Sequence, residues 1–264
     1  MRRHRFLSGV VSRDFFHYIK PVKRLKARSK ASLGTRVLLV ILAAYFARLV
    51  SCGIHELLGH GFWAWILGAD SVQVYVSWLG FGWCKWDPPL SGFAKVMAMV
   101  GGLINTFVLG AMIFAFLYLM PKKCGFYVRF SLFWLGFWTM ITQASYLLLG
   151  GSTGYGDPGA LASLAGVPLD FFRLLGFGLF LIAYLAVSVL FISEVSCLFA
   201  EYREKTLLFE FWLTMPIQVI FFMASEHTVS FELIFGLLLV SLIPSLLSLP
   251  LFPFFNRLRM HRDA

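Results

Sequence analysis

Six runs of the 264-residue chain, at about 37–68, 95–120, 126–150, 169–199, 206–225 and 231–255, are long and apolar enough to cross a bilayer. No other feature constrains the fold so strongly. Inside a hydrocarbon core every backbone N–H and C=O must find its partner within the protein, so runs of this length are expected to be helices. Composition agrees: 59% of the residues are hydrophobic and 14% charged, where a water-soluble domain carries about 25% charged residues. Soluble globular, disordered and collagen-like classes are excluded on that ground. A disulfide scaffold is excluded because Cys52, Cys84, Cys124 and Cys197 show no CxxC spacing and fall in separate segments. The expected fold is an all-α polytopic membrane protein of about six transmembrane helices.

One segment breaks the helical pattern. Ser71-Val72-Gln73-Val74-Tyr75-Val76-Ser77 alternates polar with β-branched or aromatic residues, Gly80-Phe81-Gly82 offers a turn, and Trp83-Cys84-Lys85-Trp86 alternates again. This period of two predicts a small β-hairpin. Such backbone is tolerated at membrane depth only against protein or a wet cavity. No period of 20–50 residues repeats, and no Gly/Ser-rich or Pro-rich linker divides the chain. It reads as a basic arm, 1–36, followed by a single transmembrane domain, 37–264.

Charge is distributed unevenly. Residues 1–36 hold eleven Lys or Arg against Asp14 alone, while the remaining residues hold twelve of each sign. A basic arm abutting an apolar span is expected to stay in the cytoplasm and to contact anionic lipid rather than nucleic acid. No small-residue cleavage site follows the first apolar run, which argues against a signal peptide. With six crossings, Lys122, Lys123, Arg129, Arg203, Lys205, Arg257, Arg259 and Arg262 fall on the side of the arm. The opposite loops carry Asp70, Asp87, Asp157 and Glu226 against Lys85. Both termini are therefore expected to be cytoplasmic.

The first span contains Ile54-His55-Glu56-Leu57-Leu58-Gly59-His60-Gly61-Phe62. Ionisable groups inside a span are costly and point to function. Two imidazoles and a carboxylate within six residues suit a transition metal. Zinc hydrolases commonly place two His at i and i+4 with Glu between them as general base. Here the spacing is i and i+5, which on a regular α-helix puts His55 and His60 about 140° apart. Two readings follow. A π-turn near Leu58-Gly59 brings both imidazoles to one face; alternatively, a plain helix pairs Glu56 with His60. Without a metal, the same groups would have to satisfy backbone carbonyls or a buried water.

In order, His55-Glu56 with His60, the 71–86 hairpin, Gly101-Gly102-Leu103-Ile104-Asn105 and Gly156-Asp157-Pro158-Gly159 resemble the site-2 protease family of intramembrane zinc metalloproteases. The resemblance covers about residues 37–165 and leaves the arm and the helices of 169–255 as additions. It implies one Zn²⁺ held by His55, His60 and Asp157. It also implies a zinc-activated water with Glu56 as general base, and Asn105 binding the substrate backbone or stabilising the oxyanion. The substrate class implied is a transmembrane protein or peptide. The family spacing is His-Glu-x-x-His, one residue shorter than the motif here. The string His55-Glu56-Leu57-Leu58-Gly59-His60 is similar in turn to the zinc motif of the soluble dipeptidyl peptidase III enzymes, which use an i, i+5 pair.

Asp157 is the one acid in the Gly-rich stretch 151–168. Unwound backbone there can deliver its carboxylate to a buried metal, or the residue can cap the helix start at Pro158; both can hold together. Asn105 can equally be an interhelical hydrogen-bond donor. The hairpin offers an edge to which an extended substrate can add a strand. Arg48, Glu194 and Glu210 read as polar links between helices. Two rivals share these residues: a metal-binding membrane transporter, and a catalytically inactive relative that only binds membrane helices.

Overall fold

The computed structural model describes residues 33–195 apart from Leu79, Phe81 and 121–124, together with six positions between Glu232 and Ile243. The basic arm, the expected spans at 206–225 and 231–255, Glu210, Cys124 and Cys197 lie outside the described residues or largely so. Helix α1, Leu33–Ile54, runs without interruption into a π-helical segment, His55–Gly61, and then into the short α2, Phe62–Ile66. The hairpin follows as β1, Ser71–Val76, and β2, Gly82–Asp87. Helices α3, Gly92–Leu119, α4, Phe126–Thr153, α5, Gly156–Ala165, and α6, Leu169–Val195, complete the described fold.

Four helical stretches among the described residues are long and apolar enough to cross a membrane: Ile41–Ile66, Gly92–Leu119, Tyr127–Thr153 and Leu169–Val187. They coincide with the first four runs read from the sequence. Their outward faces carry Phe46, Val50, Leu58, Ile104, Val108, Met112, Phe116, Leu174 and Ile182, all large and exposed. A water-soluble protein does not leave apolar surface of that extent bare. Surface of this kind suits a bilayer.

Helix α4 is the centre of the bundle, with 83% of its span buried against 33–39% for the other three. Phe133, Trp134, Phe137 and Ile141 project from it into a core shared with Ala44 and Ala47 of α1, Phe114 and Leu117 of α3, and Phe180, Tyr184 and Val187 of α6. Small residues set the approach distances, as they must where lipid provides no hydrophobic drive for helices to associate. A methyl group on Gly110 would collide with Thr139 and Met140, and one on Gly176 with the backbone of Leu147 and Leu148.

The hairpin pairs Ser71 with Asp87, Gln73 with Lys85 and Tyr75 with Trp83 on its exposed face. Val72, Val74, Cys84 and Trp86 form the inner face. It folds back along α1. Val72 and Cys84 meet Gly61, Gly82 meets Glu56, Gly80 rests on the Arg48 side chain, and the Tyr45 hydroxyl donates to Trp78 O at 2.7 Å. From Gly61 to Tyr45 the hairpin thus lies beside the first span over roughly 24 Å, at 1.5 Å per residue. The hairpin follows the alternation read from the sequence, with Ser77 outside the first strand and Gly82 and Asp87 inside the second, and its inner face explains why it is pressed against the helix that carries the histidines.

Candidate metal centre

The π-helical segment is what brings the histidines together. Phe62 N–H bonds to Leu57 O, five residues back, and this wider turn removes the angular offset that an α-helix would impose on positions 55 and 60. The sequence around it accommodates the distortion. Gly59 has no side chain to separate it from α3, where a Cβ would come within 2.5 Å of Gly102 Cα. Leu58 O accepts a hydrogen bond from Asn105 Nδ2 at 3.0 Å, which gives a carbonyl of the distorted turn a partner. Of the two readings of the motif, the structure contains the His55–His60 pair. The Glu56–His60 pair on a plain helix is not formed.

Helix α3 orients both rings. His55 Nδ1 lies 3.0 Å from Gly102 O, and His60 Nδ1 lies 2.9 Å from Ala98 O. A carbonyl oxygen only accepts, so each Nδ1 carries a proton and each Nε2 is the nitrogen that faces the other ring and Asp157. Gly102 allows this approach, because a Cβ there would enter the His60 ring. The two Nε2 atoms are 3.1 Å apart, with the rings at 85° to each other.

Asp157 supplies the third group. Its Oδ2 is buried, 3.1 Å from His60 Nε2 and 3.5 Å from His55 Nε2. Glycines build the reversal that delivers it. Gly154 ends α4 in the left-handed region at φ 71°, with its N–H on Gly150 O at 2.8 Å. Gly159 packs so closely on Gly154 O that a side chain would overlap it. Asp157 sits in the first turn of α5, next to Pro158. It is therefore both a helix-start residue and a member of the cluster.

These three atoms, 3.1–3.5 Å from one another, repel unless a shared proton or a metal cation lies among them. Their spacing fits a metal cation. Tetrahedral zinc with bonds of about 2.0–2.1 Å separates neighbouring ligand atoms by about 3.3–3.4 Å. Each imidazole is also hydrogen-bonded at its other nitrogen, the arrangement that fixes the tautomer of metal-binding histidines. Among the described residues, His55, His60 and Asp157 are the group able to hold a metal ion.

Glu56 is buried beside this group but is not part of it. Its carboxylate lies within electrostatic range of all three ligands and of Arg48. Gly82 of the hairpin covers it: a Cβ there would fall 2.7 Å from Glu56 Oε1 and 2.8 Å from Cys52 Sγ. Cys84 comes close from β2, yet burial, then the charges of Glu56 and Asp157, push its thiol up to about 12. It is not among the three groups that converge. Asn105 spans the interhelical gap to Leu58, as a helix-to-helix donor.

Some contributors were not visible in the sequence. The Ala98 and Gly102 carbonyls, and the phenol of Tyr146 that accepts the Asp157 N–H at 3.1 Å, carry no motif. Comparison with protein-family models, curated proteins and solved structures gives no match for the chain. The site therefore has to be judged on its own geometry.

Proposed function

We propose that the chain is an intramembrane zinc metalloendopeptidase of the site-2 protease type, acting on a transmembrane protein or peptide. The observation that supports it most is the convergence of His55 Nε2, His60 Nε2 and Asp157 Oδ2 at 3.1–3.5 Å, beside the unligated carboxylate of Glu56. Two imidazoles and one carboxylate leave a fourth position open, as catalytic zinc sites do. When bound, zinc supplies Lewis acidity toward a carbonyl oxygen and lowers the pKa of water.

The chain's own residues divide the remaining work. Glu56 accepts the proton of the attacking water and returns it to the leaving amine. The Gly102 and Ala98 carbonyls keep the imidazoles in the Nδ1-protonated form. The hairpin receives the substrate: an extended segment added to its edge has its main-chain groups satisfied at a depth where lipid offers none. Asn105 gives one Nδ2 hydrogen to Leu58 O and so holds the π-helical segment, which leaves its second N–H and its Oδ1 for the substrate backbone or the oxyanion. With the apolar runs at about 206–225 and 231–255 also crossing, the chain has six spans. The basic arm and the C-terminus are then both cytoplasmic, and the arm lies on anionic lipid.

The test is a paired measurement on the detergent-purified full chain: zinc by elemental analysis, and cleavage of a reporter transmembrane peptide. Glu56→Gln keeps the volume of the side chain and removes its basicity. It should bind zinc as the wild type does and show no cleavage. Cleavage at the wild-type rate would rule out Glu56 as the base. Zinc uptake with no cleavage by the wild type on any transmembrane peptide would favour a metal transporter or an inactive relative.

A further inference from the structure

Tyr146 lies on α4, outside the motifs that mark the site, and yet three contacts tie it to the metal centre. Its hydroxyl oxygen accepts the Asp157 backbone N–H at 3.1 Å. Its ring meets the His55 ring edge-on, with centroids 6.2 Å apart. Gly156 presses directly against the phenol, so that any Cβ at that position would overlap the hydroxyl. Gly156 is in the left-handed region at φ 66°, which a side chain would strain as well.

The contact has a structural logic. The first N–H groups of a helix have no partner within it, and α5 is ten residues long, joined to α4 by Gly154 and Tyr155. The reversal around it is formed largely by glycine packing, which sets distances but holds a side chain in no particular direction. A hydrogen bond from the Asp157 main chain to Tyr146 fixes the start of α5 on the central helix, the most buried element of the bundle. The edge of the same ring limits movement of His55. One side chain thus touches the backbone of the third ligand and the ring of the first.

We infer that Tyr146 is a positioning residue for the metal site, holding Asp157 Oδ2 at the third ligand position through the Asp157 N–H. This rests on the reading of His55, His60 and Asp157 as metal ligands. The hydroxyl is the active part, because Phe preserves the ring packing against His55 and against the cluster of Met99, Leu103, Leu147, Leu161 and Phe172.

The experiment uses the full chain in detergent, loaded with Co²⁺ alone, and reads the ligand-field spectrum and the rate of cobalt extraction by a chelator. Tyr146→Phe should lower cobalt affinity by about 10–100-fold, the usual cost of losing an outer-shell partner, and should shift the spectrum while the melting temperature changes little. Gly156→Ala, which displaces the phenol without removing the hydroxyl, should give the same spectral shift. Asp157→Ala sets the limit in which the third ligand is gone. If Tyr146→Phe keeps the wild-type spectrum and extraction rate, Tyr146 only packs, and the inference is overturned while the metal centre stands. If the wild type takes up no cobalt, the metal centre fails and the inference fails with it.

Discussion

His55 Nε2 and His60 Nε2 lie 3.1 Å apart, although five residues separate them on a continuous helical segment. The π-helical turn between them accounts for this, and the turn has its own supports in Gly59 packed on Gly102 and Asn105 bonded to Leu58 O. Each support can be removed singly.

Gly102→Ala should damage the site most simply. The added methyl enters the His60 ring, and overpacking of this kind costs about 1–3 kcal/mol. Gly53→Ala is the matched control, two residues before His55, where an added Cβ meets nothing within 4 Å. It should be neutral or stabilising by up to about 1 kcal/mol, because Gly weakens helices. Thermal melting in detergent, with and without added zinc, checks both. Equal behaviour of the two variants would contradict the close approach of α3 to His60.

The contrast between these two glycines also shows what the sequence could reveal. Four apolar runs and the alternation of 71–86 mark helices and hairpin directly, because burial in lipid and pleating of strands impose periods on residue type. His55, Glu56 and His60 were legible because charge inside a span is costly and rare, and Asp157 because it is the one acid of the Gly-rich stretch 151–168. The i, i+5 spacing even required the π-turn, once both imidazoles were assigned to one ion. Tyr146, Gly82 and the Ala98 carbonyl were not legible. Their roles depend on which helix faces which, and a tyrosine or a peptide oxygen in an apolar run carries no local mark. Gly53 and Gly102 look alike in sequence; only the fold separates them.

Asn105→Leu should retain zinc but weaken the fold. The variant removes the donor to Leu58 O, and interhelical hydrogen bonds in membranes contribute about 0.6 kcal/mol on average, up to about 1.7. A melting shift of a few degrees with unchanged zinc content is the expected outcome. Full stability with activity abolished would instead place Asn105 on the substrate.

Gly82→Ala should separate catalysis from metal binding. The atoms its methyl would press on first are Glu56 Cγ and Oε1 and Cys52 Sγ. Displacing a catalytic group by about 1 Å can cost on the order of 10²-fold in rate. Peptide cleavage should fall by that order with zinc content near the wild-type value. Loss of zinc in step with activity would show that the hairpin supports the ligands as well as Glu56.

The central claim is that His55, His60 and Asp157 hold one metal ion, and the most direct test is metal stoichiometry. Elemental analysis of the detergent-purified full chain should find one zinc per chain in the wild type. His55→Ala and His60→Ala should each leave less than a tenth of an equivalent, on the order expected when one of three protein ligands to zinc is lost. Asp157→Ala should do the same after brief exposure to a chelator. A wild-type chain that takes up no zinc when supplied with it, or histidine variants that keep a full equivalent, would contradict the account.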